Sequence, residues 1–346
     1  MKYNKKIDEL TKYQMPTKFS DQKNFLNCDL NESLFPIPKS ILNLSLEAEG
    51  ISGYPRNRLP LITQEIGKYN QVSEKNILVY NGSDSALQAI FEGFCDDETR
   101  VLTFAPDYTQ VETFIRLKTH KIYKLIDPAP LSNESISEAN FDDIDLVYFS
   151  NPCNPTGKVI KQEIILNWVD KNSKTLFIVD EAYFEFYGQS LAGQVSNYEN
   201  LIITRTFSKA FGLAGLRLGY VITNENIINI LDKFRNEKNV TNLAIQAGLI
   251  SLKELTHLEK NLIELDLSRK IFYDHLDPRI LTPKSYANFV LIKCRDSEIV
   301  MKELQKQEIM ARDRSMLTNL ENCIRITLGP KSVVEKVLSI LNQHAI

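Results

Sequence analysis

Short apolar runs alternate with helical stretches along most of this chain, and this alternation restricts its fold more than any other feature. It begins near Tyr54, where a helix is predicted over 60–70, and a second helix follows over 83–94. The predicted strands lie over 77–80, 101–104, 145–149, 175–179, 201–204 and 219–222. Short apolar strands separated by helices are typical of a mainly parallel sheet with helices on both faces, so the predicted class is α/β.

The C-terminal part of the chain has a different pattern. Residues 239–276 are almost wholly helical and highly charged, and strands over 288–293 and 323–328 alternate with helices over 296–307 and 331–343. This pattern predicts a smaller α+β domain, joined by the polar N-terminal arm. The predicted division is an arm over 1–44 that belongs to the small domain, a large domain over 45–250 and a small domain over 251–346.

Composition excludes several classes of function. The 346 residues carry 41 basic and 44 acidic side chains with no basic tract, so we expect no nucleic-acid partner. No stretch approaches the ~18 apolar residues of a membrane span, and the N-terminus has no signal-peptide pattern. Five scattered cysteines and four distant histidines predict neither a disulfide framework nor a metal site. We therefore expect a cytoplasmic protein without a metal ion.

One lysine lies in an unusual loop directly after a predicted strand. The segment 206–220 reads Thr-Phe-Ser-Lys-Ala-Phe-Gly-Leu-Ala-Gly-Leu-Arg-Leu-Gly-Tyr, with Lys209 among small and apolar residues. An arbitrary lysine is usually a solvated surface residue, but these surroundings argue against free solvation. A desolvated lysine has a lowered pKa and can form a Schiff base.

Three more polar loops follow predicted strands, where ligands bind in open α/β sheets. They are Asp180-Glu181-Ala182-Tyr183, Asn151-Pro152-Cys153-Asn154-Pro155-Thr156-Gly157 and Asn81-Gly82-Ser83-Asp84-Ser85. Taken singly, they are compatible with a capped turn, a rigid turn and a helix N-cap, respectively. The last also begins a helix, whose free N–H groups favour an anion such as phosphate.

Together the four loops resemble the fold-type I, pyridoxal-phosphate (PLP) dependent aminotransferases of class I/II, most closely the histidinol-phosphate aminotransferase branch. The resemblance extends from Asp29-Leu30-Asn31-Glu32 to Arg325-Ile326-Thr327-Leu328-Gly329. It implies the PLP-dependent transferase fold and an exchange of an amino group between an amino acid, with glutamate as donor, and an oxo compound.

The resemblance also implies a cofactor role for particular residues. Lys209 would hold PLP as a Schiff base and then move the substrate proton, and Asp180 would pair with the pyridine nitrogen. Asn154 and Tyr183 would hydrogen-bond the phenolic oxygen, while Tyr108 would stack on the ring. The implied phosphate ligands are Ser208, Arg217 and the backbone at Gly82, Ser83 and Asp84.

The remaining implied contacts concern the substrate and a second subunit. Arg325 would bind the substrate carboxylate, Arg312 would face a substrate phosphate, and Asn31 would border the substrate. Tyr54 would reach the phosphate of the partner's cofactor, so a homodimer with shared active sites is expected. The chain departs from the family pattern at Ser33-Leu34-Phe35-Pro36, Arg56 and Ser315-Met316-Leu317-Thr318-Asn319, all of which would border the substrate pocket.

Other readings remain open at this point. One is an aromatic amino acid aminotransferase, and another is a decarboxylase similar to the threonine-phosphate decarboxylases, which share the lysine segment and the tail arginines. A third is a non-catalytic regulator with an aminotransferase-like domain behind a DNA-binding one, which we do not expect because the family pattern begins near Asp29.

Overall fold

Residues 4–10, 25–45 and 48–346 are described by a computed structural model. The strands are β1 (Leu26–Asn27), β2 (Ile77–Tyr80), β3 (Val101–Ala105), β4 (Ile122–Ile126), β5 (Leu146–Ser150), β6 (Leu176–Asp180), β7 (Leu201–Thr206), β8 (Gly219–Thr223), β9 (Phe289–Lys293), β10 (Ile309–Met310), β11 (Arg312–Asp313) and β12 (Cys323–Thr327). The α-helices are α1 (Lys39–Leu42), α2 (Ala48–Ser52), α3 (Leu59–Asn70), α4 (Ser83–Phe94), α5 (Gln110–Arg116), α6 (Gln162–Lys171), α7 (Phe184–Tyr187), α8 (Glu225–Asp232), α9 (Asn242–Lys253), α10 (Leu255–His275), α11 (Ser297–Lys306) and α12 (Lys331–His344).

The larger sheet has seven strands in the order β2-β8-β7-β6-β5-β3-β4. β4, β3, β5, β6 and β7 run parallel to one another, and β8 runs antiparallel to its neighbours β7 and β2. Every residue of β2, β3, β5, β7 and β8 is buried, as expected for strands covered on both faces. The mainly parallel α/β fold predicted from the sequence is confirmed.

Neighbouring residues of one strand pack into different cores because successive side chains point to opposite faces. In β5, Phe149 joins the core that contains Ile62 of α3 and Trp168 of α6. Tyr148, beside it, joins the core that contains Phe91 of α4. The helices therefore cover both faces of the sheet and leave its carboxyl edge for loops.

A second, three-stranded antiparallel sheet has the order β11-β12-β9, and β1 pairs with β10. Phe35 lies in the core of this region together with Phe272 of α10 and Leu341 of α12, whereas Ile41 lies in the core of the large sheet. The segment 25–45 thus contacts both regions. The division at residues 44 and 250 stays a prediction; 250 falls inside α9, and 1–3, 11–24 and 46–47 lie outside the described residues.

Two elements differ from the sequence prediction. β4 was not predicted, because it is an edge strand in which Tyr123, Lys124 and Ile126 are exposed and no continuous apolar run marks it. The helical stretch over 239–276 is interrupted at Glu254, between α9 and α10. None of the described helices combines the length and apolar character needed to cross a membrane.

Candidate active site

The carboxyl ends of β5, β6 and β7 bring three of the predicted loops together. Ser150 of β5 lies directly opposite Asp180 of β6, and Asp180 lies opposite Thr204 of β7. The loops that leave these strands carry Asn154, Tyr183 and Lys209 respectively. The order of the strands, rather than proximity in sequence, therefore assembles the site.

The Lys209 side chain enters this assembly from the loop after β7. Its Nζ donates a hydrogen bond to the carbonyl oxygen of Leu30, 2.9 Å away, and lies 5.9 Å from the ring centre of Tyr183. Burial, with a further contribution from the positive charge of Arg325, lowers the pKa of Lys209 to about 8. About a tenth of this amine is thus the free base at pH 7, far more than for a solvated lysine, and the free base is the form that acts as a nucleophile.

Asp180 ends β6 in a buried, hydrogen-bonded position. Its carboxylate accepts hydrogen bonds from Thr204 Oγ1 at 2.9 Å, Tyr148 Oη at 3.3 Å and the backbone N–H of Ala182 at 3.2 Å. Burial raises the pKa of Asp180 to about 6 in spite of these bonds. A protonated ring nitrogen bound beside it would stabilise the carboxylate.

Tyr183 and Asn154 are each held by residues from other regions of the chain. Asn31 Nδ2 donates to Tyr183 Oη at 2.8 Å, and burial raises the pKa of Tyr183 to about 12. Arg325 of β12 donates to Asn154 Oδ1 at 2.5 Å and to the carbonyl of Asp29. The small sheet and the segment 25–45 thereby contact the carboxyl edge of the large sheet.

Gly82 and Arg217 form a cradle at the start of α4. Gly82 has a φ of +83°, and a Cβ built on it would lie 2.5 Å from Arg217 Nη2, so the guanidinium occupies the space that a side chain would fill. Arg217 Nη1 donates to Ser208 Oγ at 3.4 Å. Beside them are the free backbone N–H groups at the beginning of α4, including that of Ser83. The guanidinium and these N–H groups together favour the binding of an anion.

Asp84 adds a negative charge to the cradle. Its carboxylate lies 3.5 Å from Arg217 Nη2 and accepts a hydrogen bond from Tyr108 Oη at 2.9 Å. Tyr108 is therefore brought to the cluster, although its stacking role stays a prediction. A bound phosphate would share the Arg217 guanidinium with Asp84.

Of the other predicted residues, Tyr54 lies apart from this cluster and Arg312 lies at its border, beside Arg325. Tyr54 is 66% exposed, and its ring contacts Lys238 Nζ at 5.4 Å. Arg312 lies directly opposite Arg325 in the β11–β12 pair, one strand further from Asn154. Arg56 is exposed, and Arg58 donates to Gln246 Oε1 at 2.7 Å.

Several residues at the site were given no role from the sequence. Thr204 and Tyr148 hold Asp180, and Asp107 bridges to Ser150. The sequence does not reveal which strands are neighbours, so the contacts of these residues with the site could not be predicted from the strand pattern. Glu181, by contrast, forms a buried ion pair with Arg205 at 2.8 Å and accepts from the backbone N–H of Leu191, so it supports the turn.

The residues present fit pyridoxal phosphate. An amine with a lowered pKa, a buried carboxylate and an anion cradle match the aldehyde, the ring nitrogen and the phosphate of this cofactor. Among the residues that the structure describes, no cluster of His, Cys, Asp and Glu could hold a metal ion. This arrangement is that of an enzyme that acts on amino groups through PLP.

Comparison with known proteins identifies the family. The profile for aminotransferase class I and II matches residues 24–341, so the chain belongs to this family and is a PLP-dependent aminotransferase. It is 31% identical to a histidinol-phosphate aminotransferase from Clostridium kluyveri, over 92% of each chain.

Two further similarities cover most of the chain. A dihydroxyacetone phosphate transaminase from Campylobacter jejuni is 32% identical, over 100% of this chain and 98% of its own. The crystal structure of the histidinol-phosphate aminotransferase from Clostridium acetobutylicum superimposes with a TM-score of 0.79 at 26% identity, covering 92% of this chain and 98% of that one.

Proposed function

We propose that this aminotransferase exchanges the amino group between the glutamate/2-oxoglutarate pair and a phosphorylated partner, with histidinol phosphate as the first choice. The relatives named above support a phosphorylated partner, because histidinol phosphate and dihydroxyacetone phosphate each carry a phosphate monoester. Glutamate instead carries a second carboxylate. The site must then accept two differently charged molecules in turn.

When bound, PLP supplies an electron sink that makes the substrate Cα–H acidic. Lys209 is proposed to attach the cofactor and afterwards to carry the proton away from the substrate Cα. Asp180 keeps the ring nitrogen protonated, and Asn154 with Tyr183 hydrogen-bonds the phenolic oxygen. Ser208, Arg217 and the N–H groups of Gly82, Ser83 and Asp84 hold the cofactor phosphate.

The pairing of Arg312 with Arg325 is the observation that carries the substrate proposal. The two are direct partners in the antiparallel β11–β12 pair, so their side chains project from the same face of the sheet. Arg325 is buried and contacts Asn154. We assign the substrate carboxylate to Arg325, near the cofactor, and the substrate phosphate to Arg312, with Asn31 bordering the same pocket.

The substrate proposal is tested by comparing L-histidinol phosphate with L-histidinol, each with 2-oxoglutarate, and measuring the glutamate formed. Since a hydrogen-bonded charge contributes about 1.5–3 kcal/mol, kcat/KM should be roughly 10- to 150-fold higher for the phosphorylated compound. Equal values would contradict phosphate recognition. Carbon dioxide released from threonine phosphate, without glutamate formation, would instead indicate the decarboxylase.

We also propose a homodimer in which Tyr54 completes the active site of the partner. Tyr54 is exposed, and so are Ile51, three residues before it, and Leu243 of α9, whose neighbour Asn242 donates to the carbonyl of Gly53. Exposed apolar side chains on two segments joined in this way are compatible with a protein interface.

Mixing Lys209→Ala with Tyr54→Ala tests the shared site. Their heterodimer contains one site with both residues intact, so mixed subunits should be more active than either parent. A monomer by sedimentation, or no recovery after subunit exchange has been verified, would contradict the shared site.

We propose that the enzyme works in the cytoplasm. All five cysteines are free thiols, and four of them are buried. This usage suits a reducing compartment. Fractionation of cells with an antibody against the protein tests this, and recovery outside the cytoplasmic fraction would contradict it.

A further inference from the structure

Two loops must keep a fixed separation if Tyr108 and Asn154 are to act on one cofactor. Tyr108 lies in the loop after β3, and Asn154 lies in the loop after β5, so they belong to adjacent strands. Neither loop is part of the sheet ladder at these positions. Something other than β-pairing must therefore set their distance.

Asp107 joins the two loops through one carboxylate. Its Oδ2 accepts the backbone N–H of Ser150 at 2.9 Å, and its Oδ1 accepts both the Ser150 hydroxyl and, at 2.7 Å, the backbone N–H of Tyr108. Three donors thus converge on one acid. Only a side chain with two oxygen acceptors can satisfy this set completely.

Ser150 passes the connection on to Asn154. Its Oγ accepts the backbone N–H of Asn154 at 3.0 Å, and Asn154 in turn accepts from Arg325. A second link between the loops runs from Cys153 Sγ to the carbonyl of Pro106, at 3.3 Å. The hydrogen bonds therefore run without interruption from Tyr108 through Asp107, Ser150 and Asn154 to Arg325.

We infer that Asp107 is a positioning residue for this aminotransferase, which holds the Tyr108 and Asn154 loops at a fixed distance through Ser150. The inference rests on the proposed cofactor roles of Tyr108 and Asn154. Asp107 itself is buried beneath them and acts only through its neighbours.

The environment of Asp107 supports a role beyond packing. Burial raises the pKa of this carboxyl to about 7, although its three hydrogen bonds oppose the rise. Strongly raised carboxyl pKa values cluster at functional sites, which agrees with the hydrogen-bond geometry around Asp107.

Asp145 provides a matched control at the other end of the same two strands. It precedes β5 and accepts the backbone N–H of Arg100, just before β3, at 2.8 Å, so it also bridges the strands through a backbone amide. The bridge made by Asp145, however, is at the edge of the sheet opposite the active site. Asp145→Asn therefore removes a link between the same two strands without affecting the loops that carry Tyr108 and Asn154.

The experiment compares Asp107→Asn, Ser150→Ala, the double variant of these two, Asp145→Asn and Asn154→Ala, each loaded with PLP. Two quantities are measured: kcat/KM, and the pKa of the visible absorbance band of the lysine-bound cofactor. A hydrogen bond to the phenolic oxygen stabilises its deprotonated form, so loss of the Asn154 amide should raise that pKa by roughly one pH unit.

We expect Asp107→Asn to raise the band pKa in the same direction as Asn154→Ala and to lower kcat/KM by up to about 100-fold. Ser150→Ala should do the same to a smaller extent, and the Asp107/Ser150 double variant should lose less than the two single losses multiplied. Asp145→Asn should match the wild-type protein in both quantities.

Wild-type values for both Asp107→Asn and Ser150→Ala, beside a clear effect of Asn154→Ala, would overturn the positioning role alone. Equal effects from Asp145→Asn would also overturn it, since any strand bridge would then suffice. If Asn154→Ala has the kcat/KM and the band pKa of the wild-type protein, the inference is overturned together with the proposed role of Asn154. If Asp107→Asn does not fold, Ser150→Ala decides between these outcomes by the band pKa.

Discussion

The residues proposed to hold the cofactor and those proposed to choose the substrate lie on different sheets and are held differently. Asp180, Asn154 and Ser208 are buried at the carboxyl edge of the seven-stranded sheet, where hydrogen bonds to the strand-end residues Thr204, Ser150 and Thr206 hold them. Arg312 lies in a two-residue strand and is only half-buried. The loop that follows it contains Met316, which is 94% exposed.

This difference indicates that the chemistry of the enzyme and its choice of substrate depend on separate sets of residues. The buried side tolerates little change, because each polar group there also satisfies a neighbour. Arg312 and the exposed loop over 315–319 can change without disturbing that network, whereas Arg325 is buried and belongs to it through Asn154. The comparison predicts that variants on the cofactor side lower all activities alike, whereas variants on the substrate side change the ratio between substrates.

The largest effect is expected from Lys209→Ala. One amine is proposed both to attach the cofactor and to move the proton, so turnover with every substrate should fall by more than about 10⁴-fold. The visible absorbance of the lysine-bound cofactor should vanish. Retained activity in Lys209→Ala would contradict the proposed chemistry, and circular dichroism of the variant checks its folding.

Asp180→Ala should have the next largest effect. Loss of the charge beside the ring nitrogen removes one preorganised electrostatic contact, which typically costs about 10²–10³-fold in kcat. PLP should still bind, and glutamate and histidinol phosphate should be affected equally. A loss of activity with only one of the two substrates would contradict the comparison, because Asp180 would then take part in substrate selection.

A smaller effect is expected from pH on cofactor capture by the apoprotein. With a pKa of about 8, the free-base fraction of Lys209 rises about tenfold between pH 7 and 9 and then levels off. The rate at which added PLP acquires its lysine-bound absorbance should follow this curve. A rate that still climbs steeply above pH 9 would indicate an ordinary, solvated lysine.

Much of the cofactor side could be predicted from the sequence, and the reason is local. Lys209, Asp180 and Asn154 each follow a short apolar strand, so the strand pattern and the polar loop together mark the position. Gly82 is marked by the turn that begins α4, where its positive φ is needed. Whether these residues act as proposed stays a prediction.

The links between distant segments could not be predicted in this way. The contact from Asn31 to Tyr183 spans 152 positions, and the one from Arg325 to Asn154 spans 171. β11 has two residues and no hydrophobic period, so the register that pairs Arg312 with Arg325 leaves no sequence signal. In the sequence Asp107 is marked only as the neighbour of Tyr108, because its contact with Ser150 spans 43 positions.

The central claim is that the two arginines of the small sheet divide the substrates between them. The most direct measurement is the half-reaction of PLP-loaded wild type, Arg312→Ala and Arg325→Ala with glutamate and with L-histidinol phosphate, which lacks a carboxylate, followed in the visible spectrum. Arg325→Ala should slow the half-reaction with glutamate by roughly 10- to 150-fold and the half-reaction with histidinol phosphate less. Arg312→Ala should slow the half-reaction with histidinol phosphate more than that with glutamate. Equal losses for both substrates in both variants would contradict the account.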